Sequence, residues 1–321
     1  MTEKLPNTLC EVICIASWNA DLVSRVPRPI ARGETLMAHS FDIQPGGKGS
    51  NAAVAAARQG AKVGVIARIG DDDFGRMALS LWAREGIATE YAEVATQERS
   101  GVAQILVFDD GDNSIAVATG AGAGLSQVNV DKACEVIQSA RVVMASNEVP
   151  QDATLTAFKI ARAASVKTIL NPAPAMTLPD DLMALCDVLT PNETEVRVLA
   201  GLSADSAIQD AATVLLEKGA GAIIVTLGSK GCALWQKGIE TQILAGWAMQ
   251  VIDTIGAGDT FTGALAAALA RGESLQQAMK NANAAAALSV TGRGAIAAMP
   301  SLAQSQALHS NLKNSYIRET T

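Results

Sequence analysis

The chain has 321 residues, 49% hydrophobic and 18% charged, the balance of a compact, enzyme-sized body and not of a disordered or fibrous one. Twenty-five basic against 32 acidic side chains leave a net charge of −7, which excludes broad attraction to nucleic acid or anionic lipid, so phosphate has to be met by local dipoles. Aromatics are only 3%, while alanine and 27 glycines crowd whole segments, a composition suited to helices packed closely on a sheet.

In chain order, the pattern predicts a strand at 11–16, an extended segment without helical period at 21–44, a helix at 51–60, a strand at 63–68 and a helix at 74–85. Residues 101–118 read as two strands joined at the turn Asp109-Asp110-Gly111-Asp112-Asn113. A helix at 130–139, a strand at 142–145, a helix at 152–164 and strands at 167–170 and 187–190 follow. A helix at 204–218, a strand at 222–226 and helices at 258–270 and 275–290 complete the series. Alternation of this kind argues for an α/β fold with a mostly parallel sheet covered by helices on both faces. Segments 21–44 and 101–118 alternate with no helix and belong in a small separate sheet projecting from the core. No repeat, low-complexity tract or Pro-rich linker divides the chain, and residues after Asn314 are polar and expected to fray.

The uncharged run 294–312 is no membrane span, because it carries Pro300, Ser301, Gln304, Ser305, Gln306, His309 and Asn311. Residues 1–8 show no basic-then-apolar signal pattern, and a cytoplasmic location is expected. Cys10, Cys14, Cys134, Cys186 and Cys232 are odd in number and scattered, which suggests neither a disulfide framework nor a zinc module. His39 and His309 are the two histidines, too few for a His-rich metal site; His39 is expected in a loop or strand and His309 on a surface helix.

The strongest chemical signal is Asp253-Thr-Ile-Gly-Ala-Gly-Asp259-Thr-Phe-Thr-Gly263, which opens an Ala-rich helix. Glycines at 256 and 258 let the backbone coil so that NH groups face outward at the positive end of the helix, a cradle for a phosphoryl group. Asp259, in the first turn, is poorly placed to bind phosphate and well placed to take a proton from an attacking hydroxyl; a plain helix-start role is the alternative. A second cluster, Gly46-Gly47-Lys48-Gly49-Ser50-Asn51, also opens an Ala-rich helix and is not a P-loop. Gly120-Ala-Gly-Ala-Gly124 is not a dinucleotide fingerprint and reads as loop.

The two clusters, in this order and at this distance, resemble the signature regions of the ribokinase-like (PfkB-type) carbohydrate kinases. Further matches are Ser17-Trp-Asn19-Ala-Asp21, Asn147-Glu148-Val149-Pro150, Asn171-Pro-Ala-Pro-Ala175, Thr190-Pro-Asn192-Glu-Thr-Glu195 and Thr226-Leu-Gly-Ser-Lys-Gly231, so the likeness runs from Ile13 to about Pro300. It implies a ribokinase-like three-layer αβα core with a small β lid, in a single unit 1–321: core about 5–17, 46–92 and 120–312, lid about 18–45 and 93–119.

The resemblance also implies roles. Asn19, Asp21, Gly47, Lys48, Asn51 and Glu148 are implied to hold the sugar, through amides and carboxylates that pair with adjacent hydroxyls. Asp259 is implied as base, with the NH groups of Gly256, Ala257 and Gly258 on the transferring group. Asn192 and Glu195 are implied to organise hydrated Mg²⁺, or else to form a helix cap. Thr226, Gly228, Gly231, Gly258 and Asn283, with Asn192, are implied to hold ATP, although 226–231 also reads as a strand-to-strand turn. A potassium site is implied at Asp253, Ile255, Ser289, Gly292 and Gly294, with Ala298 where the family offers serine. The expected reaction is ATP-dependent phosphorylation of a pentose at its primary hydroxyl, most simply D-ribose to D-ribose 5-phosphate, with another sugar, a deoxysugar or a nucleoside as alternatives. A silent sugar-binding regulator and a nicotinamide dehydrogenase are the readings from other classes.

Departures from the family pattern are Trp18 in place of a smaller aliphatic residue, Ala52 in place of glutamine, and Gly122 to Gly124 in place of Gly-Ala-Asn. Trp18 either stacks on a nucleoside base or fills the space for one. Along 102–108 both alternating faces are apolar, Val102, Leu106 and Phe108 on one and Ala103, Ile105 and Val107 on the other, interrupted by Gln104. A face left over after covering the sugar cleft needs a cover, and the resemblance implies a homodimer joined through the lid sheets.

Overall fold

The first strand, β1 (Val12–Ala16), sends Val12, Cys14 and Ala16 into one apolar cluster and Ile13 and Ile15 into another, as a two-residue period requires. Such a strand is buried on both faces, and each fully buried Ile or Val contributes about 1.5–3 kcal/mol. A computed structural model describes residues 10–308, so the expectations for residues 1–8, for His309 and for the residues after Asn314 lie outside the described residues.

After β1 come β2 (Asn19–Val26), β3 (Ser40–Gly46), α1 (Lys48–Arg58), β4 (Val63–Gly70), α2 (Asp73–Arg84), β5 (Ala88–Ala95), β6 (Gly101–Phe108) and β7 (Asn113–Ala118). The chain continues through α3 (Gln127–Lys132), α4 (Cys134–Ser139), β8 (Val142–Ser146), α5 (Gln151–Ala163), β9 (Lys167–Asn171), α6 (Asp180–Met183), β10 (Val188–Leu189) and α7 (Glu193–Ala200). It ends with α8 (Ile208–Glu217), β11 (Ala222–Thr226), β12 (Gly231–Gln236), β13 (Ile239–Ala245), α9 (Ala257–Ala270) and α10 (Leu275–Ser289).

The large sheet runs in the order β13-β12-β11-β10-β9-β8-β1-β4-β5 and is parallel except for its β11-β12-β13 end. Helices α1, α2, α9 and α10 cover one face, and α3 to α8 cover the other. β1 lies between β4 and β8, so the strand order reverses there, and the carboxyl ends around such a point leave a crevice for ligand. Ser17, Asn147, Asn171 and Thr226 all stand at or just past those ends. The second sheet has the order β3-β2-β6-β7, with β2 and β6 parallel and both outer pairs antiparallel.

Several boundaries differ from the sequence reading for local reasons. The helix expected at 130–139 is two, α3 and α4, because the Ala133 amide bonds to Val130 three residues back and tightens the turn there. The helix expected at 204–218 starts later, since the Arg197 guanidinium takes the Ser206 carbonyl at 2.8 Å and holds 203–206 as a turn. β5, β12 and β13 lie where no strand is predicted, and β5 keeps the chain in the large sheet as far as Ala95. The segment 21–44 is β2 and β3 with a loop between, and His39 stands at the foot of β3, 3.3 Å from Asp109 on the opposite turn.

Candidate active site

Asp259 lies in the first turn of α9, at 5% exposure, under the αL-capped start made by Gly256. At φ 77 Gly256 adopts a conformation that side chains resist, and a Cβ there would stand 2.8 Å from that of Ala295. Burial foremost raises the pKa of Asp259; Lys48 and the Asn51 amide oppose this, and Glu148 and Glu195 add to it. Asn51 Nδ2 donates to one carboxylate oxygen at 2.9 Å, and Asn171 Nδ2 reaches the other at 3.5 Å. The Ala257 amide is spent on the Thr254 carbonyl at 3.3 Å, whereas open space lies over Gly258.

The glycine cluster at the head of α1 closes the other side. Glu148 Oε2 accepts from the Lys48 amide and from Ser17 Oγ, both at 2.8 Å, and Ser17 Oγ in turn accepts from the Gly49 amide at 3.0 Å. Ser17 thus ties the end of β1 to α1 and to the loop after β8, a role its place in the motif did not disclose. The Asp21 carboxylate rests against Gly46, and its pKa is pushed up to about 7 by burial first and then by Glu148 and Asp259, with Lys48 opposing. Asn19 and Asp21 share one face of the lid with Ala103 and Ile105. The Lys48 pKa is raised by Asp259 first, against its own burial, and then by Glu148, Glu195 and Asp21. One ammonium among four carboxylates leaves an excess of negative charge, an environment that calls for a further cation before a phosphate can approach.

Asn51 Oδ1 is buried with no hydrogen-bond partner among the described residues. A buried acceptor left this way costs about 1–3 kcal/mol, which a ligand hydroxyl aimed at it would recover. Trp18 does not line this crevice as a stacking platform: at 3% exposure it packs edge-on against Trp82, centroids 5.9 Å apart at 75°, in the same core cluster as Ala52. It fills space.

Asn192 and Glu195 form a capping box at the start of α7: Asn192 Oδ1 accepts the amides of Thr194 and Glu195 at 2.9 and 2.8 Å, and Glu195 Oε2 accepts that of Asn192 at 2.8 Å. The second oxygen of Glu195 has no such partner among the described residues, and its charge reaches both Asp259 and Lys48. Among the described residues no group of three or more His, Cys, Asp or Glu could cage a metal. One spare carboxylate oxygen beside an anion cradle fits an ion that keeps its own waters, as Mg²⁺ does.

A cleft of about 200 Å³ adjoins the cradle, lined by Thr226, Gly228, Gly231, Gly258 and Asn283, so the residues implied for the nucleotide come together, Asn192 excepted. Trp247, Met249, Val251, Phe261, Ala286 and Val290 supply an apolar wall suited to a flat heterocycle. The 246–252 stretch has no periodicity from which that wall could have been read. Asn283 Nδ2 donates to the Ala245 carbonyl at 3.0 Å and ties α10 to the end of β13.

At the other end of the cradle, the Asp253 carboxylate accepts the amides of Ile255 at 3.0 Å and Gly294 at 2.9 Å. Ser289 Oγ donates to its own helix at Ala286, 2.8 Å away, and Gly292 backs onto Ala298.

The model for pfkB family carbohydrate kinases matches residues 10–302. A ribokinase of Haemophilus influenzae is 41% identical over 289 residues, 89% of this chain and 94% of its own length. A deoxyribokinase of Salmonella typhi is 36% identical, over 92% of this chain and 97% of its own length. Among solved structures, that of Arabidopsis thaliana ribokinase complexed with ribose and ATP is similar at TM-score 0.88 and 31% identity, covering 94% of this chain and 99% of the other. The core and its small sheet are the ribokinase-like fold expected from the sequence.

Proposed function

The chain belongs to the PfkB family of carbohydrate kinases, and from that premise we propose that it transfers the γ-phosphoryl group of ATP to the primary hydroxyl of D-ribose. The observation that carries the choice of a polyhydroxylated substrate is the Asn51 acceptor, buried with no partner among the described residues, next to Asp259. Asn51 donates to the base with its amide and keeps its carbonyl oxygen for the sugar.

In this reading Asp259 takes the proton of the primary hydroxyl as its oxygen attacks the γ-phosphorus in line, and the β–γ bridging oxygen leaves with its electron pair on ADP. The Gly258 amide and the positive end of α9 face the charge on the transferring group, and Lys48 adds positive charge among Asp259, Glu148, Glu195 and Asp21. Mg²⁺, organised through water by Glu195 with Asn192 holding that carboxylate in place, would supply positive charge on the phosphate oxygens when bound.

A 2-deoxyribose reading has support from the relative of that name, and the sugar test separates the two. A site whose buried groups bond a hydroxyl rejects the analogue that lacks it. With ATP and Mg²⁺, kcat/KM is expected to be highest for ribose over 2-deoxyribose, hexoses and nucleosides. A higher value for any of these rejects ribose and leaves the kinase standing.

Three further assignments belong to the same proposal. The first is a potassium site beside the cradle: the carbonyls of Ile255, Gly292 and Gly294 and the charge of Asp253 would hold the ion, which would add positive charge near the transferring group, while Ser289 is turned to its helix and position 298 is alanine. Rates are expected to be higher in potassium than in a large organic cation at matched ionic strength, and equal rates contradict the ion.

The second assignment is a homodimer through the lid. Phe41, Ile43, Leu22, Val102 and Leu106 share the lid face opposite Asp21, and Phe41 and Ile43 are 60% and 44% exposed. A second copy covers that face, so sedimentation should give twice 33.1 kDa, and Phe41→Glu should reduce it to one chain. A wild-type monomer at micromolar concentration contradicts the pairing.

The third is a cytoplasmic location, in keeping with five unpaired cysteines. No helix among the described residues is long and apolar enough to cross a membrane.

A further inference from the structure

We propose that Asn171 is a positioning residue for the base: its amide holds the carboxylate oxygen of Asp259 that Asn51 does not, fixing the carboxylate plane and supporting its ionised form in a buried site.

Asp259 is buried, with 5% of its surface left exposed, so its orientation depends on the donors around it. Asn51, from α1, reaches Oδ2 at 2.9 Å, and Asn171, from the end of β9, reaches Oδ1 at 3.5 Å. The two amides approach from different elements and flank the carboxylate. They also differ in what else they face, because Asn51 has its own free acceptor for the sugar and Asn171 has none left buried and unpartnered.

Asn171 is itself built in. Its strand position is fixed by pairing with Ser146 on β8, and the Leu170 carbonyl before it accepts the Thr190 amide at 3.0 Å. The turn after it is held by Asn147, whose side-chain amide donates to the carbonyls of Pro172 and Pro174 at 3.0 and 3.2 Å and whose backbone amide donates to Ala173 at 3.1 Å. This gives the motifs Asn147-Glu-Val-Pro and Asn171-Pro-Ala-Pro-Ala a shared purpose: the first clamps the second so that one amide points at the base.

The charged and titratable groups around Asp259 come from other elements: Lys48 on α1, Glu148 after β8, Glu195 on α7, Asp21 on β2 and the Cys14 thiol on β1. Only Lys48 among them favours the carboxylate, so a neutral donor at Oδ1 adds to a short supply of stabilising contacts. Losing it should raise the pH at which the base ionises. The base must be ionised to act, so the acid limb of the rate profile moves to higher pH.

The test is the pH dependence of kcat for Asn171→Ala and Asn171→Ser with sugar and MgATP saturating, alone and in the Asp259→Asn background. Removing the amide is expected to move the acid limb up by about one pH unit, so that kcat falls roughly tenfold on that limb and recovers as pH rises, while the sugar KM stays within about threefold. In the Asp259→Asn background the same substitution should cost nothing further, because its effect passes through the carboxylate. A fall in kcat by the same factor at every pH, or a loss that persists undiminished without the carboxylate, overturns the assignment. Asn171→Ser keeps a small donor and is expected to fold and to lie between the wild type and Asn171→Ala. The proposal rests on Asp259 as base. If Asp259→Asn turns over normally, that reading fails; if Asp259→Asn is inactive and the Asn171 profiles are unmoved, this one does.

Discussion

Asp259→Asn is expected to lower kcat by about 10²-fold or more without unfolding the chain, the scale on which a lost general base is felt. The amide matches the carboxylate in size, and its one oxygen still accepts from Asn51 Nδ2, while the longer contact from Asn171 and the proton acceptor are lost. Stability should move the opposite way to activity. The pKa of Asp259 is raised in the fold, chiefly by burial, so its ionised form is disfavoured there relative to the unfolded chain. That penalty is absent below the unfolded pKa and grows as pH climbs toward the folded one, and asparagine removes it. A melting temperature at neutral pH equal to or above that of the wild type, with turnover collapsed, is therefore the expected pair. Near-normal turnover excludes Asp259 as base; inactivity with a lower melting temperature points to a structural role.

The second large effect is expected at Gly263, where α9 crosses α1. A Cβ at this position would meet the Ala52 carbonyl, the Ala55 Cβ at 2.7 Å and the Ala56 amide nitrogen at 2.9 Å, mostly backbone that cannot swing aside. Gly263→Ala should therefore drive the two helices apart despite alanine's better helix propensity, at a cost of about 1–3 kcal/mol for overpacking. The same helices begin with the two halves of the site, Lys48 and Asn51 on α1 and Asp259 on α9. Because small misplacements of reacting groups are expensive, kcat/KM should fall by roughly tenfold or more. Urea unfolding with steady-state kinetics checks both, and an unchanged midpoint with unchanged kcat/KM shows that the contact is not limiting.

How far the molecule was legible from its residues follows from what each signal depends on. The αβα core was readable because β1, β4 and β8 are short apolar runs between Ala-rich stretches, a local pattern. β12 opens on Gly231, and β13, after the turn at Gly238, mixes polar with apolar residues; the pairing of β12 with β11 and of β13 with β12 makes strands of them. The glycine turn with a buried aspartate at the start of α9 was readable because Gly256, Gly258 and Asp259 stand together at the head of an Ala-rich run, a local pattern that a plain helix start also shows. Ser17, Asn171 and the wall of Trp247, Met249 and Val251 were not, since a serine, an asparagine or an apolar loop acquires its role only from what the fold brings beside it. Asn192 and Glu195 show how two readings coexist: the cap is formed, and one oxygen of Glu195 is left over. Trp18 illustrates the converse. Its place beside Asn19 left it either to stack on a nucleoside base or to fill the space for one, and only the fold shows it turned into the core toward Trp82.

The most direct test of the whole account is the steady-state release of ADP by the intact chain with MgATP and a panel of ribose, 2-deoxyribose, hexoses and nucleosides. The account predicts ADP formation matched mole for mole by a phosphorylated sugar, with the highest kcat/KM for ribose and the signal lost in Asp259→Asn. No sugar-dependent ADP release from a folded chain that binds ribose would contradict it.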